Sequence, residues 1–205
     1  MLIIGHRGCR VEPENTLRAL KKGMECADFV EVDVRMSKDD ELVVIHDRTL
    51  ERTTNGKGLV RDFTLAQLKE LDAGKGERIP MLQEVLDLVR GKGLLVEIKE
   101  PGSEEKICAL IKERGFENIL LVSFSPLAIK RAKEMLPDIK MGIIYSRAIE
   151  NPVRLAFGIK ASVILPKFEL VRKELVERAH RHVLMVFPWV LNTEEEIRKA
   201  VEIGV

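Results

Sequence analysis

The sequence is poor in several residue types, and each scarcity argues against a class of protein. Aromatic residues make up only 4% of the 205 residues, and 34 basic residues almost balance 33 acidic ones, for a net charge of +1. Nucleic-acid surfaces need a basic excess and often aromatic side chains for stacking, so we expect no nucleic-acid partner. No apolar run approaches the roughly 20 residues of a membrane span, which predicts a chain without a transmembrane segment.

Cysteine and glutamine are also scarce. Cys9, Cys26 and Cys108 are far apart and form no CxxC or Cys/His spacing, which indicates reduced thiols rather than disulfides or a zinc site. The N-terminus enters a strand without the basic start and cleavage site of a signal peptide, so we expect a cytoplasmic protein. Glutamine occurs only at positions 67 and 83 and charged residues reach 33%, which indicates a heat-adapted source.

Short apolar strands alternate with amphipathic helices, and no stretch resembles an interdomain linker. The last predicted strand lies at 183–188. The predicted helices lie at 16–26 with Asn15 as N-cap, at 65–71 with Thr64 as N-cap, and at 81–90, 104–114, 127–136, 170–181 and 194–203. This pattern predicts one α/β domain over residues 1–205, built as a (β/α)8 TIM-type barrel. Residues 42–46 follow the strand at 30–35 after a short turn, so these two should form an antiparallel hairpin. Seven barrel strands then remain, and the last strand is predicted to be absent from the chain. The sequence carries no signal for an oligomeric state.

The strand at 30–35 carries two acids where a buried strand would carry aliphatic residues. Because side chains alternate along a strand, Glu31 and Asp33 share one face. In the strand at 94–99, Glu97 and Lys99 likewise share a face. Neighbouring carboxylates repel each other unless a positive charge lies between them, and a divalent cation with oxygen ligands is such a charge. Ordinary ion pairs on an exposed sheet face are the alternative interpretation.

Several polar residues follow predicted strands, at the end of a barrel where active sites lie. They are His6, Glu31, Asp33, Glu97, Lys99, Ser123, Tyr145, Lys167 and Trp189. A cation held by the three acids, with Arg7 and Lys99 as donors, would suit a phosphate ester. His6 and His46 could then act as base and acid in either order, although a histidine packed at a strand end explains His46 equally well.

The order of these motifs strongly resembles that of the glycerophosphodiester phosphodiesterase family. The matching residues are His6-Arg7-Gly8, Pro13-Glu14-Asn15-Thr16, Glu31-x-Asp33, His46-Asp47, Leu50-Glu51-Arg52-Thr53-Thr54 with Gly56, Ile79-Pro80-x-Leu82-x-Glu84, Glu97-x-Lys99, Ser123-Phe124 and Trp189. Each motif alone is weak, but the ordered set spans positions 6 to 189 and is specific.

The resemblance implies a phospholipase-C-like barrel that hydrolyses glycerophosphodiesters to glycerol 3-phosphate and an alcohol, with Mg²⁺ or Ca²⁺ as cofactor. By position, the metal ligands are Glu31, Asp33 and Glu97, the catalytic pair is His6 and His46, and the phosphate contacts are Arg7 and Lys99. Ser123 and Trp189 are candidate residues of a substrate wall. The polar segment 47–78 matches the insertion of the family and is predicted to shape access to the alcohol end of the substrate.

Other functions compete with this interpretation. A phosphodiesterase of the same barrel type could transfer the phosphoryl group internally and release a cyclic phosphate. A catalytically silent barrel could bind a phosphorylated ligand, although none of the five positions matched to metal ligands and histidines is substituted. A metal-dependent amidohydrolase would need a His-x-His pair on the first strand, and position 8 is Gly8.

Overall fold

The computed structural model describes residues 2–115 and 118–205. The chain divides into two compact units, Leu2–Leu120 and Leu121–Val205. The prediction of one domain over 1–205 is not tested by this division and stays a prediction. Within the described residues no helix is both long and apolar enough to cross a bilayer.

The first unit alternates strands and helices as predicted. Its elements are β1 (Ile4–Gly5), α1 (Leu17–Gly23), β2 (Phe29–Met36), β3 (Leu42–Val44), a 3₁₀ turn (Val60–Asp62), α2 (Leu65–Glu70), α3 (Leu82–Leu88), β4 (Gly93–Ile98) and α4 (Glu104–Arg114). Strand β5 (Ile119–Ser123) begins at the end of this unit and continues into the second. The bounds of α4 agree with the prediction at both ends.

Strand β2 is the centre of the sheet in the first unit. It pairs in parallel with β1 on one side and with β4 on the other, and the register places Asp33 opposite Glu97. The far end of β2 pairs with β3 in the antiparallel sense, with Val34 opposite Val44. The predicted hairpin is therefore confirmed. Its ladder ends two residues earlier than expected, although the Ile45 N–H still donates to the Asp33 carbonyl at 2.9 Å.

The apolar face of this sheet is closed by helices. Val30, Val32 and Val34 are fully buried, as are Leu20 of α1 and Leu82 of α3. Burial of each such side chain stabilises the fold by roughly 1.5–3 kcal/mol. The valine face of β2 is therefore fixed against helices, and the acidic face must point to the opposite side of the sheet.

Helix α1 begins one residue later than the sequence indicated. Thr16, not Asn15, is the N-cap, and its hydroxyl accepts a hydrogen bond from the Ala19 N–H. Asn15 has a left-handed backbone with φ of 59°. Its side chain turns away from the helix and bonds to Asp33 instead.

The segment 47–78 has a small hydrophobic core of its own. Leu50, Val60 and Leu68 of this segment are buried against Val43 and Ile45 of the hairpin arm. The segment also contains the 3₁₀ turn and α2. Thr64 is the N-cap of α2, as the sequence predicted, and it forms a capping box with Gln67. The segment 47–78 is therefore packed against β3, although its polar composition did not indicate a core.

The second unit continues the alternation of strands and helices. Its elements are α5 (Pro126–Met135), β6 (Lys140–Tyr145), α6 (Pro152–Gly158), β7 (Val163–Pro166), a 3₁₀ turn (Phe168–Leu170), α7 (Lys173–Arg181), β8 (Met185–Val186) and α8 (Glu194–Ile203). Strands β6, β7 and β8 are parallel neighbours.

Two elements of the second unit differ from the predictions. Helix α6 was not predicted; it starts with Pro152 behind an Asn151 N-cap, a signal that was readable in the sequence. Strand β8 is shorter than the predicted 183–188, because Val183 has a φ of 59°, which a strand does not allow.

Candidate active site

Three carboxylates from two neighbouring strands form the centre of the candidate site. Glu31 and Asp33 project from β2 and Glu97 projects from β4, and one oxygen of each lies within 4.8 Å of the others. All three side chains are buried, with relative exposures of 6%, 1% and 8%. An exposed amphipathic sheet face would leave them in water, so the interpretation as solvated ion pairs is wrong for this cluster.

Burial and mutual repulsion act together on these acids. Burial, with the nearby charges of Asp33 and Glu97, raises the pKa of Glu31 well above its usual range. Burial also raises the pKa of Glu97 to about 7, although the ammonium of Lys99 opposes this shift. The carboxyl groups of Glu31 and Glu97 therefore resist ionisation, because the Asp33 carboxylate beside them is already charged.

Asp33 is the carboxylate that stays ionised. Burial alone would raise its pKa, but Lys99, Arg7 and Asn15 outweigh burial and lower it. Lys99 Nζ lies 2.9 Å from Asp33 Oδ1, and Arg7 Nε lies 3.2 Å from Asp33 Oδ2. The Asn15 amide donates to Asp33 Oδ2 at 2.8 Å, and its carbonyl oxygen accepts from the Asp33 N–H at 3.2 Å.

The donor set fits a hard divalent cation. Mg²⁺ and Ca²⁺ take oxygen ligands at roughly 2.0–2.6 Å, so oxygens on opposite sides of one ion are separated by about 4–5 Å. The spacing of the three carboxylates, within 4.8 Å, meets this condition. A cation there would also relieve the repulsion that raises the pKa of Glu31 and Glu97. This acidic cluster could therefore bind a metal.

The two basic residues predicted to contact phosphate lie at the cluster. Lys99 Nζ bridges Asp33 and Glu97, at 2.9 and 2.7 Å. The Arg7 N–H donates to Glu31 Oε2 at 2.8 Å, and its guanidinium donates to Glu14 Oε1 at 2.9 Å. Arg7 adopts a left-handed backbone with φ of 55°, in the turn that leads from β1 to α1.

The two histidines have different surroundings. Burial, together with the charge of Arg7, lowers the pKa of His6 to about 4. Burial also lowers the pKa of His46, but hydrogen bonding to Asp47 opposes this shift, with Asp47 Oδ1 2.5 Å from His46 Nδ1. The backbone of His46 is fixed as well, because Arg35 Nε donates to its carbonyl oxygen at 2.8 Å.

Several residues at this site had no assigned role in the sequence interpretation. They are Glu14, Asn15, Arg35, Asp47 and Arg52, and all but Arg35 belong to the quoted motifs. Motif membership was thus an available signal, but it could not show which charged groups bond to each other. Arg35 could have been noticed because it shares a strand face with Glu31 and Asp33.

Ser123 and Trp189, the candidate wall residues, belong to the second unit. Trp189 follows β8, and its indole N–H donates to the Leu165 carbonyl at 2.9 Å. Phe124 packs edge-on against Trp189, with ring centroids 5.8 Å apart. Ser123 is buried at the end of β5 and its hydroxyl accepts from the Ser125 N–H at 3.1 Å.

These features define a class before any relative is considered. A buried triad of carboxylates on an α/β fold, flanked by two histidines and two cationic side chains, is typical of metal-dependent hydrolases of phosphate esters. The sequence of this chain belongs to the glycerophosphoryl diester phosphodiesterase family, whose model matches residues 6–205. The resemblance stated from the motifs is therefore confirmed.

Individual relatives agree with this assignment. A glycerophosphodiester phosphodiesterase of Caldanaerobacter subterraneus is 41% identical over 221 residues, covering 100% of this chain and 91% of the relative. A solved phosphodiesterase of Oleispira antarctica, in complex with the product sn-glycerol-3-phosphate, is 30% identical with a TM-score of 0.93, covering 100% and 90% of the two chains. A Thermotoga maritima glycerophosphodiester phosphodiesterase is 30% identical with a TM-score of 0.86, covering 99% and 92%. The predicted fold class, a TIM-type α/β barrel, is confirmed by these structures.

Proposed function

We propose that this protein hydrolyses glycerophosphodiesters to glycerol 3-phosphate and an alcohol at the site formed by β2, β4 and the turn after β1. The observation that carries the proposal is the convergence of Glu31, Asp33 and Glu97 in a chain that matches the phosphodiesterase family from residue 6 to its end. The Oleispira relative, whose structure contains glycerol 3-phosphate as the product, supports the choice of substrate class.

We assign metal binding to the three carboxylates, with Mg²⁺ or Ca²⁺ as the ion. The cation would supply positive charge beside the phosphate and stabilise the charge that develops on its oxygens. The chain's own contribution is to hold the three acids in a fixed arrangement, with Asn15 and Lys99 bonded to Asp33. Glu97→Gln should therefore weaken binding of the ion in calorimetry, whereas the exposed control Glu105→Gln should not.

Arg7 and Lys99 are proposed to bind the phosphate. Each is held beside the acid cluster by an ion pair with Asp33, so their cationic groups are fixed before substrate arrives. Such preorganised donors stabilise a charged transition state without reorganisation at the moment of reaction. Lys99 pairs with two of the carboxylates that would hold the metal, and its ammonium would be available to the phosphate at the same place.

His6 and His46 are proposed to be the base and the acid. Burial and the charge of Arg7 lower the pKa of His6 to about 4, so this ring is neutral at pH 7 and has a ring nitrogen that can accept a proton. The Asp47 carboxylate stabilises the protonated ring of His46, which favours His46 as the acid toward the departing alcohol. An ester with a p-nitrophenolate leaving group needs no acid, so it should restore turnover to His46→Ala and not to His6→Ala. Equal losses for both variants on both esters would contradict this division.

The substrate's alcohol end is proposed to meet the segment 47–78. The segment is built on its own core beside His46, so it can vary without changing the acid cluster. Replacing residues 57–62 with a Gly/Ser turn should change the preference among glycerophosphodiesters and leave ion affinity intact. A uniform loss on all substrates in a folded variant would argue against this role.

We also propose that residues 1–205 act as one catalytic domain in the cytoplasm. Cys9, Cys26 and Cys108 form no disulfide within the described residues, and reduced cysteines are typical of cytosolic proteins. A single unfolding transition that coincides by circular dichroism and by fluorescence of the one tryptophan would support one domain, and two separate transitions would contradict it. Fractionation of the source cells tests the location.

The central experiment is an assay of purified protein with glycerophosphocholine, with and without EDTA, followed by phosphorus NMR. We expect glycerol 3-phosphate as the product, loss of activity with EDTA and recovery with Mg²⁺ or Ca²⁺. A cyclic phosphate as the end product would show that the protein transfers the phosphoryl group internally and does not hydrolyse the ester. Binding without turnover would identify a silent ligand-binding barrel, and full turnover after exhaustive chelation would refute the metal assignment.

A further inference from the structure

Arg52 lies outside the machinery assigned so far, yet it makes a double bidentate contact. Its Nε and Nη2 atoms donate to the two oxygens of Asp47 at 2.5 and 3.0 Å. Its Nη1 and Nη2 atoms donate to the two oxygens of Glu14 at 2.8 and 2.7 Å. Two edges of one guanidinium are thus each occupied by a carboxylate. Bidentate geometry and membership of a network are the conditions under which a partly exposed ion pair contributes measurably.

Each of the two carboxylates makes one more contact, and both contacts lead to proposed catalytic or binding residues. Asp47 Oδ1 lies 2.5 Å from His46 Nδ1, and Glu14 Oε1 accepts from Arg7 Nη1 at 2.9 Å. The charges alternate in sign along this path from Asp47 through Arg52 and Glu14 to Arg7. Asp47 is held ionised, because the Arg52 hydrogen bonds lower its pKa. Hydrogen bonding to both acids likewise raises the pKa of Arg52, so the guanidinium is always charged.

We propose that Arg52 is a positioning residue that fixes two groups of the site at once, the His46 ring through Asp47 and the Arg7 guanidinium through Glu14. A carboxylate only accepts hydrogen bonds, so Asp47 keeps a proton on Nδ1 in both the neutral and the protonated His46 ring, and Nε2 is then the atom that holds or gives up the proton exchanged with substrate. Arg7 is held by Glu14 in the orientation in which it also lies beside Asp33.

A lysine cannot replace this arginine. An ammonium is a point charge without the planar fork, so it can satisfy one carboxylate well but not two bidentately. Leu50 is fully buried in the core of the segment 47–78, which anchors the backbone two residues before Arg52. The anchored segment therefore presents the guanidinium to both acids.

The first test measures the His46 ring directly and needs no turnover. In full-length protein labelled with ¹⁵N-histidine, with the signal assigned by its loss in His46→Ala, the wild type should show the tautomer protonated at Nδ1. Arg52→Gln should shift the ring nitrogens toward a mixture of tautomers, and Arg52→Lys should lie between. The control is Arg90→Gln, because Arg90 is an exposed arginine outside the proposed site and its side chain has no hydrogen-bond partner within the described residues.

The second test is kinetic, and it alone rests on the proposed function. Arg52→Gln should lower kcat by about ten- to a hundredfold, the usual loss for a group that orients a catalytic residue, and should also raise KM. Asp47→Asn should lower mainly kcat, because it breaks only the connection from Arg52 to His46. Glu14→Gln should raise mainly KM, because it breaks only the connection from Arg52 to Arg7. Adding Arg52→Gln to the Asp47→Asn and Glu14→Gln double variant should cause little further loss.

The outcomes separate this inference from the proposed function. If the tautomer and both kinetic constants of Arg52→Gln match those of Arg90→Gln in a folded protein, the positioning role is refuted. An unchanged tautomer with reduced kcat would also refute it, because the loss would then arise by another route. If wild-type protein proves inactive but the tautomer still changes in Arg52→Gln, the positioning stands and the proposed function fails.

Discussion

Replacing Asn15 by alanine should destabilise the protein far more than the loss of an ordinary helix-flanking asparagine. Asn15 is 3% exposed and makes two bonds to one residue, donating to the Asp33 carboxylate and accepting from the Asp33 N–H. A hydrogen bond to a charged group is worth roughly 1.5–3 kcal/mol, and a buried N–H without a partner costs roughly 1–3 kcal/mol. Both losses fall on a strand whose other face is packed in the core.

The backbone adds a third contribution. Asn15 has a φ of 59°, a conformation that asparagine tolerates and that costs other L-residues roughly 1–2 kcal/mol. Because the three contributions overlap, we expect Asn15→Ala to lower the free energy of unfolding by about 3–5 kcal/mol. Asn15→Gly loses the same two hydrogen bonds, but glycine adopts the positive φ of this position without strain. The glycine variant should therefore be about 1 kcal/mol more stable than the alanine variant.

Urea denaturation followed by far-UV circular dichroism measures these differences. Asn151→Ala is the matched control, because this exposed asparagine caps α6 by accepting from the Arg154 N–H and its loss should cost about 1 kcal/mol. The reasoning would be refuted if Asn15→Ala cost no more than Asn151→Ala, or if the glycine variant were less stable than the alanine variant. Ion affinity of Asn15→Gly should also fall, since Asp33 is then less well held.

Four further outcomes follow from the structure. Lys99→Met removes the ammonium between Asp33 and Glu97, so the melting temperature in EDTA should fall. The rise in melting temperature on adding Ca²⁺ should become larger than in the wild type. An unchanged rise would contradict the idea that the lysine and the ion interact with the same carboxylates. Gly8→Ala should prevent stable folding or lower the free energy of unfolding by more than about 2 kcal/mol. The reason is that Gly8 has a φ of 91° and an added Cβ would lie 2.5 Å from the Ala19 backbone. Wild-type stability of this variant in urea denaturation would show that the turn can shift. Leu68→Ala should lower the free energy of unfolding by about 2–5 kcal/mol, because it opens a void in the core of the segment 47–78. A decrease below about 1 kcal/mol by the same measurement would indicate that the neighbouring side chains move to fill the void. Calorimetry of the wild type should give a melting temperature above the mesophile range of about 45–65 °C if the charge-rich composition reflects heat adaptation.

The sequence by itself determined the local structure and the set of reactive residues. Alternation in Val30-Glu31-Val32-Asp33 assigns acids and valines to opposite faces, whatever lies around the strand, because the period of two is a property of the extended backbone. The capping box at Thr64 and the hairpin between β2 and β3 follow from residues within reach of each other along the chain. Motif order then identified the family, which the family model confirms.

Only the tertiary structure decided which of these residues act on each other. Exposed ion pairs and a buried metal site predict the same strand sequence, and the distinction came from the burial of Glu31 and Asp33, a property of everything packed around them. The N-cap of α1 was misassigned because Asn15 has a stronger partner in Asp33, 18 residues away in the chain. Arg52 likewise meets Glu14 across 38 residues, through a loop closure that no local pattern encodes. Periodicity and capping are set by neighbours along the chain, whereas burial, ionisation and the pairing of distant charges depend on which segments the folded chain brings together.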